Sequence, residues 1–243
     1  MKKSTCLFLA LVLYFGITFI NEFIFLKGLI LPLFPDGYIK EHFWIRQHIH
    51  HFGQMLLALL VIILVLREQI KDYGLILKNR RLSLKYALWF FLAYGIITIL
   101  NFLPNFLSSK PESFGFSPTA FNILGWLSFE LLMSGASEEI FFRGLLQTYL
   151  CKAWKGSVKI IRINVPTAGI IAALIFTFAH IEINFNPFAI NYNLLQVVMA
   201  FILGIFYSIA YDRTRSLLAP ILTHNFANFI MYFVGYLTFM LFS

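Results

Sequence analysis

The residues best suited to chemistry are ionisable side chains that stand inside long apolar stretches of the sequence. One such stretch contains Glu138, Glu139 and Arg143. A charge in a membrane-spanning helix costs at least ~2.5–3.5 kcal/mol on insertion scales, so each of these residues requires a reason. Glu139 and Arg143 stand at i and i+4 and can pair on one helical face. Glu138 is rotated by about 100° from Glu139 and has no cation at pairing distance, so its carboxylate is available as a base. A buried salt bridge at a helix end is the alternative interpretation.

Two other apolar stretches carry histidines. His180 follows Phe176 by one helical turn, which allows the phenyl ring to orient the imidazole. His224 and Asn228 stand at i and i+4, so the imidazole and the carboxamide share one helical face and can direct donors at one oxygen. Taken singly, each is equally well explained as a satisfied core residue or as an interhelical hydrogen bond.

Together these side chains form a set that can hydrolyse a carbonyl compound. A base, a second proton carrier and a donor pair are the groups needed to add water to a carbonyl and to hold the resulting oxyanion. The sequence therefore indicates a site that is shared by three helices. Its candidate catalytic residues are Glu138, His180, His224 and Asn228, and its candidate supporting residues are Glu139, Arg143 and Phe176.

Other ionisable residues are weaker candidates. A histidine-rich segment could bind a metal, but it lacks a carboxylate at matching spacing, so we expect a hydrated interfacial loop there. Two further carboxylates in apolar surroundings are expected to be paired or capped locally. The histidines are His42, His48, His50 and His51, and the carboxylates are Glu22 and Glu130.

The composition indicates which class of protein contains this site. Hydrophobic residues make up 60% of the 243 residues and charged residues 12%, against ~45–50% and ~25% in soluble domains. This excludes a soluble globule, a disordered chain and a coiled coil. Cys6 and Cys151 form neither a disulfide framework nor a zinc-ligand spacing. The net charge of +8 arises from cations that flank apolar runs, which argues against nucleic-acid binding.

Apolar windows of ~20 residues predict an all-α, polytopic membrane helix bundle of seven transmembrane helices. An eighth would arise if the last apolar stretch were broken near Gly235. We expect a single integral-membrane domain over residues 1–243, with the motifs in a core of about 120–232. The second span starts earlier than Gly53 if the histidine-rich stretch is helical. The predicted spans are Cys6–Leu26, Gly53–Leu66, Leu84–Leu103 (ending before Pro104), Ala120–Leu146, Thr167–Ile181, Leu194–Tyr211 and Leu217–Phe242.

The distribution of Lys and Arg predicts the orientation, because cytoplasmic loops carry an excess of both. Four basic residues fall on one side: Lys27, Lys40, Arg46 and Lys110. Fourteen fall on the side of the N-terminus, which we therefore expect in the cytoplasm, with the protein in the plasma membrane. They are Lys2, Lys3, Arg67, Lys71, Lys78, Arg80, Arg81, Lys85, Lys152, Lys155, Lys159, Arg162, Arg213 and Arg215.

Three short motifs, in this order on separate predicted spans, resemble those of the CAAX-protease and bacteriocin-processing (CPBP, Abi) family of intramembrane endopeptidases. The resemblance covers about half of the chain. The family patterns are Glu-Glu-x-x-x-Arg, Phe-x-x-x-His and His-x-x-x-Asn. They are matched by Glu138-Glu139-Ile-Phe-Phe-Arg143, Phe176-Thr-Phe-Ala-His180 and His224-Asn-Phe-Ala-Asn228.

The resemblance implies hydrolysis of a peptide bond in a membrane-associated peptide or protein. Glu138 would activate the water with help from His180, His224 and Asn228 would stabilise the oxyanion, and Glu139 with Arg143 would fix the geometry. No cofactor is expected, and zinc is the alternative because Glu138, His180 and His224 could form a three-ligand site with an open position. A non-catalytic membrane scaffold or a bacteriocin-immunity protein on the same fold is the alternative function.

Overall fold

The computed structural model describes residues 2–109, 111, 114–185 and 187–243. Lys110, which contributed to the charge count, lies outside these residues. Within them the chain forms seven long helical segments and two short β-hairpins. The helices are α1 (Lys3–Leu33), α2 (Phe43–Val65), α3 (Arg80–Leu107), α4 (120–151), α5 (Thr167–Phe178), α6 (Leu194–Thr214) and α7 (Leu218–Phe242). The strands are β1 (Ser157–Ile160), β2 (Ile163–Pro166), β3 (Glu182–Phe185) and β4 (Phe188–Asn191).

The described residues include five helices that are long and apolar enough to cross a membrane, namely α1, α2, α3, α6 and α7. The prediction of a polytopic helical membrane protein is therefore confirmed. On α3 the exposed side chains Leu88, Leu92, Ile96 and Ile99 recur at helical spacing. Such a large exposed apolar face is stable against lipid and unfavourable in water. The helices thus present leucine and isoleucine to lipid on the faces that do not pack together.

The central element is α4, which is long but carries more charge than the other helices. It consists of α-helical turns interrupted by two π-helical stretches, Phe129–Ser134 and Ile140–Gln147, on either side of the turn Gly135–Glu139. Every residue of Ile140–Gln147 is buried. Single-turn π-helical insertions occur frequently at functional sites. Here they flank the turn that carries the two adjacent glutamates.

Small residues allow α5 and α6 to pack closely beside α4. Ala168, Ala172 and Ala173 of α5 are fully buried. The Ser208 hydroxyl on α6 donates to the carbonyl of Gly169 at 3.2 Å. Small residues and hydroxyl groups are the usual means of close helix packing in membranes, because the hydrophobic effect contributes little to the association of helices in lipid. This packing fixes α5 and α6 against the buried half of α4.

One end of the bundle, here called the basic end, gathers the N-terminus and residues 66–79, 151–162 and 214–217. The Lys3 ammonium lies 4.8 Å from the ring centre of Trp154, and Glu68 pairs with Lys152. The Leu217 amide donates to the carbonyl of Gly74 at 2.9 Å. These segments hold ten of the fourteen basic residues, and the other four lie in the adjoining ends of α3 (Arg80, Arg81, Lys85) and α6 (Arg213). The structure therefore gathers them at one end of the bundle.

Several predicted boundaries are wrong. The helix α2 begins at Phe43 instead of Gly53, and α3 continues through Pro104 to Leu107. The helix α7 continues through Gly235, so the last stretch is one helix. Membrane helices tolerate proline when neighbouring groups satisfy the freed backbone atoms. The two hairpins are too short to have been recognised in the sequence.

The histidine-rich segment is helical instead of forming the expected interfacial loop. Its ring nitrogens find partners on the helix itself or on neighbouring helices. The His48 ring donates through Nδ1 to the carbonyl of Trp44 at 3.0 Å, and His42 donates to Asn122 Oδ1 at 2.7 Å. Polar side chains are tolerated in a membrane bundle when they face its interior and are paired. Interhelical pairing of this kind cannot be deduced from the local composition.

Candidate active site

A cavity of about 1040 Å³ penetrates the bundle between α1, α2, α4, α5, α6 and α7. All four candidate catalytic residues line this one cavity, although they come from three separate regions of the chain: Glu138, His180, His224 and Asn228. Phe176 lies in the same wall, whereas Glu139 and Arg143 lie behind it and are completely buried.

The two adjacent glutamates have different surroundings. The Glu139 side chain is 0% exposed, and its Oε1 accepts a hydrogen bond from Arg143 Nη1 at 3.0 Å. The Glu138 side chain is 20% exposed and faces the cavity. Its Oε2 lies 3.6 Å from His224 Nε2 and its Oε1 lies 3.9 Å from His51 Nε2. The rotation of about 100° between neighbouring helical residues thus directs one carboxylate into the protein and the other into the cavity.

The Arg143 guanidinium contacts partners on two other helices as well as on its own. Besides Glu139, its guanidinium donates through Nη2 to the carbonyl of Gly204 at 3.0 Å. It also lies 4.6 Å from the ring centre of Phe176 and 5.3 Å from that of Tyr207. A Cβ atom at Gly204 would stand 3.2 Å from Arg143 Nη2, so the glycine leaves the room for this contact. A buried charge needs such partners, because its desolvation costs several kcal/mol.

His224 lies between the two carboxylates. Its Nδ1 is 2.8 Å from Glu139 Oε1, and a carboxylate accepts, so this nitrogen donates. The ring stacks on Tyr207 with centres 4.9 Å apart and planes at 13°. One nitrogen is therefore fixed by the buried pair, and the ring presents the other nitrogen to Glu138.

The close approach of α7 to α4 positions this histidine. Gly135 donates its backbone N–H to Asn225 Oδ1 at 2.7 Å. A Cβ atom on Gly135 would come within 2.6 Å of that oxygen and 2.8 Å of His224 Cβ. A buried backbone N–H must be paired, and Asn225 supplies the acceptor from the neighbouring helix. Asn225 was not recognised in the sequence, where Asn228 alone had the spacing that drew attention.

His180 follows the end of α5, because the helix stops at Phe178 instead of the predicted Ile181. Its Nδ1 donates to the carbonyl of Phe176 at 2.9 Å. Because Nδ1 is the donor of that bond, Nε2 is available to accept a hydrogen bond. The rings of Phe176 and His180 meet edge to face with centres 4.8 Å apart, and Phe176 also touches His224 at 5.8 Å. Phe176 therefore packs against both histidines and Arg143.

Asn228 is half-buried and already forms one hydrogen bond. Its Nδ2 donates to the hydroxyl of Ser134 at 3.1 Å. A carboxamide nitrogen carries two hydrogens, so the second remains for a group in the cavity.

The sequence did not identify two residues of α2 and α4 that adjoin Glu138. His51 Nδ1 lies 2.8 Å from the hydroxyl of Ser137, which is completely buried. The Nε2 of the same ring faces Glu138. His51 belongs to the histidine segment that was interpreted as a loop. A helical interpretation of that segment would have placed His51 on a buried face, but not beside Glu138.

Glu22 and Glu130, the other two carboxylates noted in the apolar stretches, differ in their partners. Glu22 pairs with Lys27 at 3.1 Å and Arg46 at 2.7 Å, so its pairing extends beyond its own helix. Glu130 is 4% exposed, and its Oε2 has no hydrogen-bond partner among the residues that the structure describes. The expected local pairing of Glu130 with a cation is therefore absent in that part of the chain.

The residues do not fit a metal ion. In the described ranges no group of three His, Cys, Asp or Glu side chains is placed so that it could hold one. The donor set Glu138, His180 and His224 thus converges on one cavity without forming a ligand cage.

Comparison with known proteins adds one finding. Residues 120–230 match a family model described as "Type II CAAX prenyl endopeptidase Rce1-like". The match spans α4 to α7 and includes each of the three motifs. No curated protein and no solved structure matches the chain.

Proposed function

Because residues 120–230 form an Rce1-like type II CAAX prenyl endopeptidase domain, we propose that this protein is an intramembrane endopeptidase. It hydrolyses a peptide bond of a membrane-associated peptide or protein, with a water molecule activated by Glu138. The whole chain acts as one integral-membrane domain. The observation that carries the proposal is the contrast between Glu139, used in a fully buried ion pair, and Glu138, directed into the cavity.

In the first step Glu138 takes a proton from water, and the water oxygen bonds to the carbonyl carbon of the substrate. A carboxylate that is partly exposed, and that touches only histidine nitrogens, is suited to this role. Its neighbours at 3.6 Å and 3.9 Å are the ring nitrogens of His224 and His51, which hold the carboxylate in place beside the cavity. The product of this step is a tetrahedral oxyanion.

In the second step the oxyanion is held and the C–N bond breaks. His224 donates from Nδ1 to Glu139 and directs Nε2 into the cavity, toward the oxyanion. Asn228 offers the N–H that Ser134 does not use. His180 relays through Nε2 the proton that Glu138 took from water to the departing amide nitrogen, since its Nδ1 is bonded to the carbonyl of Phe176, and Glu138 returns to the carboxylate form. The products are a carboxylate and an amine.

Glu139, Arg143 and Phe176 act as positioning residues. Arg143 neutralises Glu139, Glu139 fixes the His224 ring, and Phe176 packs against both histidines. Preorganised donors of this kind act more strongly in a site that excludes water.

We further propose that α4 crosses the bilayer, that α5 forms a seventh span only together with the residues flanking its 12 helical residues, and that the basic end faces the cytoplasm. The 120–151 helix is long enough, since a helix rises ~1.5 Å per residue and the hydrocarbon core measures ~30 Å. Its charges are paired or face the cavity, which is how membrane helices accommodate them. The excess of Lys and Arg at the basic end supports the orientation.

The experiment that tests the proposal compares newly formed peptide termini in membranes from cells that contain either the unaltered protein or Glu138→Gln. Termini that depend on Glu138 identify the substrate and the bond that is cut. The same set of termini in both samples would contradict the proposed function.

A further inference from the structure

The cavity reaches the surface at the end of the bundle opposite the basic end. On α1, which starts at the basic end, its lining residues are Tyr14, Thr18, Glu22 and Lys27, and they continue to the far end of the helix. On α2, which starts at the far end, they include Arg46. The wall therefore extends from the middle of the bundle to the far end.

The residues at the far end of the wall are accessible to solvent. The side chain of Lys27 is 51% exposed. Glu182 and Asn184, on strand β3 after α5, are also exposed and line the same cavity. This rim of charged and polar side chains, here called the mouth, is open to water.

The basic end has a separate, smaller pocket of about 310 Å³ beside Lys71, Gln147 and Tyr211, which shares no lining residue with the cavity. The side chains around its inner end are densely packed. Tyr73, Leu145, Leu146 and Leu150 are each 0% exposed, and Leu217 is 1% exposed. They belong to the loop after α2, to α4 and to the start of α7. Protein interiors of this kind leave no passage for a peptide. Access from the basic end is closed in the described part of the chain.

From this asymmetry we infer that substrate enters from the extracytoplasmic side of the membrane. The inference rests on the proposed function and on the proposed orientation of the basic end. The substrate class is an exported peptide, or a membrane protein segment whose scissile bond lies in the outer half of the bilayer or beyond it. A polypeptide tail presented from the cytoplasm would meet the packed side of the bundle.

The first test measures access without any need for cleavage. Single cysteines replace Asn184 at the mouth, Gln54 on the cavity wall and Lys159 at the basic end, in a Cys151→Ser background where Cys6 is buried. A small membrane-impermeant thiol reagent is added to intact cells. We expect Asn184→Cys and Gln54→Cys to react at once, and Lys159→Cys to react only after the cells are permeabilised. Reaction of Lys159→Cys in intact cells, or of Gln54→Cys only after permeabilisation, would overturn the inference.

The second test uses the cut sites in the membrane proteome. We expect the bonds whose cleavage depends on Glu138 to lie outside the cell or in the outer half of spans. If Glu138-dependent cuts lay in cytoplasmic tails, the inference would be wrong while the protease function stood. If no cut depended on Glu138 although the labelling came out as expected, the function would be wrong while the direction of opening stood.

Discussion

At the scale of single residues, two adjacent glutamates have opposite environments in one helix turn. The i, i+4 spacing of Glu139 and Arg143 was enough to predict their pairing, because both partners lie on the same helix. The contact between Glu138 and His51 could not be predicted, since it joins residues on different helices. Local patterns thus revealed the motif residues, and only the three-dimensional packing reveals what surrounds them.

Arg143→Ala should lower the amount of folded protein. It leaves Glu139 as an uncompensated buried charge, which typically costs ~3–5 kcal/mol. We expect a lower melting temperature in detergent and less protein in the membrane. A double variant that also carries Glu139→Gln removes the unpaired charge and should recover part of this stability. An unchanged melting temperature for Arg143→Ala would argue against the structural role.

His51→Gln should weaken catalysis and leave folding nearly unchanged. The side chain touches Glu138 from a helix outside the matched domain, and loss of one interaction with a charged group is worth ~1.5–3 kcal/mol. We expect kcat to fall on the order of tenfold, because a neighbour of the base has changed. His48→Gln is the matched control, since that ring bonds to the carbonyl of Trp44 on its own helix. Equal effects of the two variants would speak against a specific role for His51.

At the scale of elements, hydropathy predicted the long helices and missed the features that depend on pairing. The start of α2 was left open because the three histidines of its first half, with His42 before it, resemble a loop in composition, although their rings are satisfied by other side chains and carbonyls. The hairpins were not predicted because four-residue strands give no periodic signal in the sequence. The π-helical stretches of α4 likewise have no signature in the sequence.

Gly135→Ala should destabilise the contact between α4 and α7. The added methyl group would meet Asn225 Oδ1 at 2.6 Å and His224 Cβ at 2.8 Å. Such overpacking costs ~1–3 kcal/mol, and it would displace a proposed oxyanion donor. We therefore expect a lower melting temperature together with lower turnover. Gly16→Ala is the control, because no atom lies within 4 Å of its added methyl group. A similar response of both variants would refute the close approach.

At the scale of the whole molecule, the charge count and the fold agree on which segments share a face. The N-terminus and three loops were grouped by their basic residues, and contacts such as Glu68 with Lys152 bring them together at the basic end. Hydropathy and charge could predict this grouping because both are sums over many residues. The direction in which the cavity opens could not be predicted. It depends on which parts of the interior are filled by side chains from several helices.

The Glu68 pair also gives a pH prediction. Its hydrogen bond with Lys152 holds the pKa of the Glu68 carboxyl below its usual value, and the pair lies outside the spans. A carboxyl with a lowered pKa in the folded state stabilises above its unfolded pKa of ~4.3, and this contribution is lost as the pH falls through the folded value. The pair is partly exposed, so it contributes only ~0–1 kcal/mol. Glu68→Gln should therefore slightly lower the melting temperature at pH 7, and the difference from the unaltered protein should shrink as the pH falls below ~4.3. A difference that grew on acidification would contradict this role of the pair.

The most direct test of the central claim is proteolysis by purified protein that carries Glu138→Gln. The change keeps the shape of the side chain and removes the basic oxygen, and general-base catalysis alone is worth ~10²–10⁴-fold. Glu130→Gln is the matched control, because it removes another cavity carboxyl of the same helix that forms no ion pair with a histidine in the described residues. We expect Glu138→Gln to retain the wild-type melting temperature and to lose at least a hundredfold in turnover, while Glu130→Gln stays active. Full activity of folded Glu138→Gln would contradict the account.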